Sequence, residues 1–141
     1  MKKYLAILLI IGSVVVMSCL SHKHKNDDKL CTTEYRMLTI SIKDSLLKPV
    51  ILSDYFVKKT STGEIIDFAA EDPYMDSFNR LQGIYFICTD GKMSMTSLQG
   101  TDFEFHGFLD SAEIVTEPYI IGNDECHVIM LAGKPEIILT K

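Results

Sequence analysis

The sequence predicts an all-β domain, an antiparallel β-sandwich of seven or eight short strands, and three observations carry that prediction. In several short runs, apolar residues recur at every second position, the period of a strand with one face buried. Glycine, proline and aspartate separate those runs at short intervals. No stretch beyond the first twenty residues has the length and 3.6-residue apolar period of a long helix. Short strands with turn chemistry between them, and no alternating helices, fit two packed sheets better than an α/β fold.

Taken in order, the strands read as follows. Residues 34–44 alternate, with Leu38, Ile40 and Ile42 on one face and Met37, Thr39 and Ser41 on the other. Asp44-Ser45 and Lys48-Pro49 supply turn residues. A second strand over 50–59 ends at Thr60-Ser61-Thr62-Gly63, and 64–68 is its return partner. Residues 69–82 break the rhythm: Glu71, Asp72, Pro73 and Asp76 mix helix-start and loop signals, and Tyr74, Phe78 and Leu81 form one apolar stripe. This segment reads as a long connection with about one helical turn. Residues 83–89 are a strand closed by a tight turn at Asp90-Gly91. Residues 93–98 fit no single pattern. Residues 101–108 alternate, Phe103 and Phe105 opposite Asp102, Glu104 and His106. A strand over 112–121 contains Pro118, which points to an edge or a bulge. Gly122-Asn123-Asp124 leads into 126–131, and Gly133-Lys134-Pro135 into 136–140.

The first nineteen residues are different in kind. Met1-Lys2-Lys3 is a basic head, and residues 4–17 are an apolar run broken only by Gly12 and Ser13. That run is shorter than the roughly 20 residues needed to span a bilayer, and the pattern is that of a secretory signal. Val16-Met17-Ser18-Cys19 resembles the lipobox of bacterial lipoproteins. The resemblance implies cleavage before Cys19, acylation of Cys19 and attachment to a membrane through that lipid. The expected organisation is a signal peptide over 1–18, a polar tether over 19–30 and the β-sandwich over 31–141.

Removing 1–18 takes Lys2 and Lys3 away, leaving 12 of the 14 basic residues against all 19 acidic ones, a net charge of −7. An acidic domain argues against nucleic acid and against docking on anionic lipid by charge. With Cys19 acylated, Cys31, Cys88 and Cys126 remain for an oxidising compartment, enough for one bridge and one free thiol. Cys31 and Cys126 lie at opposite ends of the domain sequence, at the starts of expected strands. Their pairing would close a loop of about 100 residues, worth roughly 4–5 kcal/mol in the chain-entropy account. Cys88 reads as a small apolar residue inside a strand.

Several groups of residues resemble a known family. Cys31-Thr32-Thr33-Glu34-Tyr35, residues 40–44, Pro49-Val50, Thr62-Gly63-Glu64 and the closing Asp124-x-Cys126-His127-Val128 resemble a group of small Gram-negative lipoproteins. Their domain is similar to the transthyretin-like, carboxypeptidase-regulatory type of β-sandwich. The resemblance covers most of 31–141 and implies an envelope location, at either face of the outer membrane, without implying a reaction. The absence of tryptophan and the cysteine placement argue against an antibody-type domain.

Chemistry-bearing residues are few. Cys126 and His127 are neighbours that a strand would point to opposite faces, so they do not form a nucleophile–base pair. His22-x-His24 with Asp27 and Asp28 has metal-compatible donors on a polar spacer, and His106 reads as an exposed strand residue. Asp67, Glu71, Asp72 and Asp76 bunch around residues 69–82, and carboxylates on one loop suit calcium. Asp72, Tyr74 and Asp76 are accordingly the candidate ligand loop. No HExxH, GxSxG, P-loop, GxGxxG or CxxC is present. The expected function is a non-enzymatic accessory or interaction module at the outer membrane, lipid-anchored through Cys19, with a protein or glycan partner and neither metal, cofactor nor nucleic acid. The alternative is a glycan- or calcium-binding module that uses the 69–82 loop.

Overall fold

A computed structural model describes residues 29–140. The expected signal peptide, the lipid-bearing Cys19, His22, His24 and most of the tether lie outside the described residues. By internal contacts the chain divides into residues 1–31 and 32–141. In the first, Lys29, Leu30 and Cys31 are exposed and carry no regular structure. The second is the β domain.

Among the described residues, eight strands form two sheets. In the three-stranded sheet β1 (Met37–Asp44) is central, antiparallel to β4 (Ile84–Thr89) and flanked on its other side by β8 (Glu136–Leu139). The five-stranded sheet has the order β3 (Ile65–Ile66), β2 (Asp54–Lys59), β5 (Thr101–Leu109), β6 (Ala112–Asn123), β7 (Val128–Ala132), every pair antiparallel. The all-β expectation therefore holds, with one correction to its antiparallel form: β1 and β8 run parallel. The strands come from opposite ends of the domain, and the last connection carries β8 from the edge of one sheet to the edge of the other. Glu136 of β8 accepts from Ser41 Oγ and pairs with Lys43, both on β1. That pair holds the Glu136 carboxyl below its ordinary range.

Period-two patterning is what the sheets bury. Ile40 and Ile42 of β1, Val57 of β2, Phe103 and Phe105 of β5, and Tyr119 and Ile121 of β6 are all buried in one core. Three rings join the two sheets: Tyr55 of β2 lies edge-on to Tyr85 of β4 at 5.1 Å and stacks on Phe105 at 5.6 Å. Such pairs add about 0.5–1.5 kcal/mol each beyond the area they bury. Buried polar tips need partners, and the Tyr85 hydroxyl has two, donating to Val50 O at 2.6 Å and accepting from Leu52 N at 2.8 Å. These bonds, with Val50 N donating to Ile42 O, explain why residues 50–53 are not part of β2, which starts only at Asp54.

Pro118 lies within β6, but β6 is an interior strand, so the expected edge is a local one. β7 pairs only with Ile120–Asn123 of β6, and Pro118 sits in the stretch paired on one side alone. Neither register shift in its pairings falls at Pro118: one lies opposite Gly107 and Phe108 of β5, the other at Ile120 and Ile121 against β7. Asp90-Gly91 does not make a tight turn: Asp90–Met95 is a 3-10 helix. Cys88 is buried and free, its thiol pushed up to about 11 by burial, while Cys31 and Cys126 are each disulfide-bonded.

Gly133 has φ +131°, and a Cβ there would meet the Tyr119 ring at 2.1 Å, whereas Gly63, at φ +74°, has open space around it. Gly133→Ala should therefore lower stability by about 1–3 kcal/mol from overpacking in addition to backbone strain. Gly63→Ala should cost only the strain of a left-handed residue, about 1–2 kcal/mol. Urea unfolding of the two variants against the parent measures the difference.

Candidate functional site

Residues 67–82 build two helices rather than a loop with one turn. Asp67 caps α1 (Phe68–Glu71), its carboxylate accepting from Ala70 N at 3.0 Å. Asp72 caps α2 (Pro73–Arg80), accepting from Met75 N at 3.0 Å, with Pro73 in the first turn, where its missing N–H costs nothing. Gly83, at φ +68°, follows the end of α2, and its backbone lies so close to Ile42 O that a Cβ would stand 2.7 Å away.

The orientation of α2 is the reverse of the usual one. At 100° per residue, Asp76 and Arg80 share one face and Tyr74, Phe78 and Leu81 share the opposite one. The charged face is turned to the domain: Asp76 is 4 % exposed. One of its oxygens accepts from the Tyr55 hydroxyl at 2.7 Å, the other from Arg80 Nε and Nη2 at 3.2 and 2.7 Å. Arg80 Nη1 donates to the carbonyls of Leu52 and Ser53 at 3.2 and 2.8 Å, and the guanidinium carbon stands 5.4 Å from the centre of the Tyr55 ring. Burial first, and then the hydrogen bond and charge of Asp76, push the Tyr55 phenol far above its ordinary value, so it remains a donor. The apolar face is turned to water, Tyr74 84 %, Phe78 57 % and Leu81 67 % exposed.

The candidate ligand loop is thus taken apart by the fold. Asp76 points inward, Asp72 is a helix cap, and Tyr74 points outward. Glu71 pairs with Lys92 at 2.5 Å, so each of the four carboxylates the calcium alternative relies on already has a partner. Among the described residues no group of three or more His, Cys, Asp or Glu is arranged to hold a metal ion. A groove of about 230 Å³ runs beside the helices, lined by Tyr35, Met37, Phe68, Met75, Phe86 and Thr89 with Glu71 and Asp72 at its acidic side.

A second constellation went unseen in the sequence. His127, which the sequence offers only as the strand neighbour of Cys126, is 6 % exposed. Its Nδ1 lies 2.7 Å from Asp90 Oδ2 and its Nε2 2.8 Å from the Thr32 hydroxyl. Asp90 also accepts from Arg36 N at 2.7 Å and Val128 N at 2.8 Å. Burial raises the Asp90 carboxyl, but these N–H donors and His127 outweigh it and hold the carboxyl below its ordinary value. An ionised Asp90 is acceptor-only, so Nδ1 donates to it, while Nε2 and the Thr32 hydroxyl share the second hydrogen bond. Hydroxyl, imidazole and carboxylate stand in the order used for acyl transfer. Such chemistry also needs a substrate groove and donors for an oxyanion, and the groove nearby is lined by neither Thr32 nor His127. What the arrangement does hold together is clear: the start of the domain, the turn after β4 and the start of β7. Asp90 and His127 are 37 residues apart, and no local pattern signals their meeting.

His106 lies on the outer face of the five-stranded sheet, stacked on Phe56 at 4.7 Å. It bridges Glu113 at 2.5 Å and Glu104 at 2.9 Å. The Thr116 hydroxyl, followed by His106, holds Glu113 low, and Lys58 first holds Glu104 low.

Comparison with protein-family models, curated proteins and solved structures finds no match for the chain. No described helix is long and apolar enough to cross a membrane.

Asp90→Ala would strand two backbone N–H groups and the His127 ring and should cost about 2–4 kcal/mol. The folded-state value of Asp90 lies below its ordinary 3.8. Its contribution is therefore complete above that value and is lost as pH falls through the folded-state one. Unfolding free energies followed from neutral pH to about pH 2 should show a shallower acid decline in Asp90→Asn than in the parent.

Proposed function

We propose that this protein is a lipid-anchored module of the bacterial envelope, acylated at Cys19 and displayed at the outer membrane, whose work is contact rather than catalysis. The observation that carries the contact reading is the reversed helix α2, which holds Tyr74, Phe78 and Leu81 in water while its charges are spent on attachment to the sandwich. A stripe of exposed aromatic and aliphatic side chains on a fixed helix is the form of a recognition surface. Thr32, His127 and Asp90 act as a latch at the start of the domain. The Thr32–His127 hydrogen bond sets the sequence neighbours of Cys31 and Cys126 side by side, which supports a Cys31–Cys126 bridge. The transthyretin-like kinship drawn from the closing Asp124-x-Cys126-His127-Val128 motif belongs to the same proposal. The anchor rests on the run from Val16 to Cys19 and the basic, apolar segment before it.

Intact-mass analysis of the mature protein should show a chain beginning at Cys19 with added acyl mass. Under denaturing conditions, reductant should add the two hydrogen atoms (two electrons and two protons) of one opened bridge. Cys19→Ala should move the protein out of the membrane fraction; full retention there would overturn the anchor.

A further inference from the structure

An amphipathic helix normally lays its apolar face on the core, and α2 does the opposite. Its outward stripe needs a cover, and three properties of the chain identify one. Two of the three exposed residues are a tyrosine and a phenylalanine; tyrosine is enriched at the headgroup level of membranes, and phenylalanine and leucine are typical of the buried face of interfacial helices. The stripe is also small: three side chains offer a few hundred Å² at most, well below the roughly 800 Å² that each side of a stable protein interface buries. A bilayer sets no such threshold, because an anchor already in place makes the second contact intramolecular. Finally, the stripe is within reach. The twelve residues 19–30 span at most about 40 Å, the domain starts at Thr32, and Tyr35 lines the same groove as Met75 of α2.

We infer that Tyr74, Phe78 and Leu81 lie in the interfacial layer of the membrane that carries the lipid, so that the domain rests on the bilayer by α2 as well as hanging from Cys19. This inference depends on the anchor proposed above and names the partner of the contact face. The lipid it takes is zwitterionic: residues 19–141 carry a net charge of −7, and Glu71 and Asp72 stand just ahead of α2, so an anionic surface would repel this side of the domain.

The chain contains no tryptophan, so Phe78→Trp places a single indole in the stripe. The full lipidated protein carrying Phe78→Trp is reconstituted into phosphatidylcholine vesicles with and without brominated acyl chains and recovered by flotation. The expected result is emission shifted to the blue and quenched by the brominated lipid. Adding Tyr74→Ser and Leu81→Ser should reduce the shift and the quenching while flotation persists. Floating protein whose indole emits as in water, unquenched, overturns the inference and leaves the anchor standing. Protein that neither floats nor shifts overturns both. A blue shift that grows with protein concentration and is not quenched by bromine assigns the stripe to a second copy of the chain and also overturns the inference.

Discussion

Asp76 is a carboxylate taken out of water on the face of a short helix, and the orientation of that helix depends on how it is compensated. Removing a carboxylate from water costs several kcal/mol, recovered only when charge and hydrogen bonds are supplied in good geometry. Here Arg80, one turn later on the same helix, supplies two N–H donors, and Tyr55 in the opposing sheet supplies a hydroxyl. Arg80 in turn ties the helix to the backbone ahead of β2 through Leu52 and Ser53. The alternative orientation would bury Tyr74, Phe78 and Leu81 and return both charges to water. It would also leave the buried Tyr55 hydroxyl without its acceptor.

The network reaches further than the helix. Tyr55 belongs to the ring cluster with Tyr85 and Phe105 that joins the two sheets, and Tyr85 fixes residues 50–52 through its hydroxyl. Helix, connecting segment and core thus share one set of aromatic side chains. At the start of the domain the Asp90 carboxylate has the matching role. It gathers N–H donors from Arg36, Val128 and His127, so the start of the domain is held by a half-buried carboxylate with every donor it meets drawn onto it.

The sheets were legible because their signal is local. The alternation of Ile40 and Ile42, and of Phe103 and Phe105, states which face is buried without reference to any other part of the chain. Pro118 correctly marked a stretch with a partner on one side only, although the strand itself is interior. The parallel partnership of β1 and β8 was not legible, because turn residues specify neighbours in sequence and this pair joins the two ends of the domain. Tyr74, Phe78 and Leu81 were visible as a stripe, yet a stripe does not say whether it faces core or solvent. That depends on Tyr55, twenty-one residues before Asp76. The bunched acids of 67–76 suggested a ligand site, whereas each proved to be a cap or half of an ion pair, since composition does not distinguish a carboxylate awaiting a cation from one already bonded.

Everything proposed for α2 requires that the helix be held rigidly, charges inward and apolar residues outward. Hydrogen exchange of the amides of residues 76–81, compared between the parent and Arg80→Ala, tests it most directly. Protection approaching that of β4 in the parent, and lost from these amides but not from β4 in the variant, is the result the Asp76–Arg80–Tyr55 attachment requires. Amides that exchange in the parent as fast as in an unstructured peptide would contradict it, because a helix that is not held presents no fixed face.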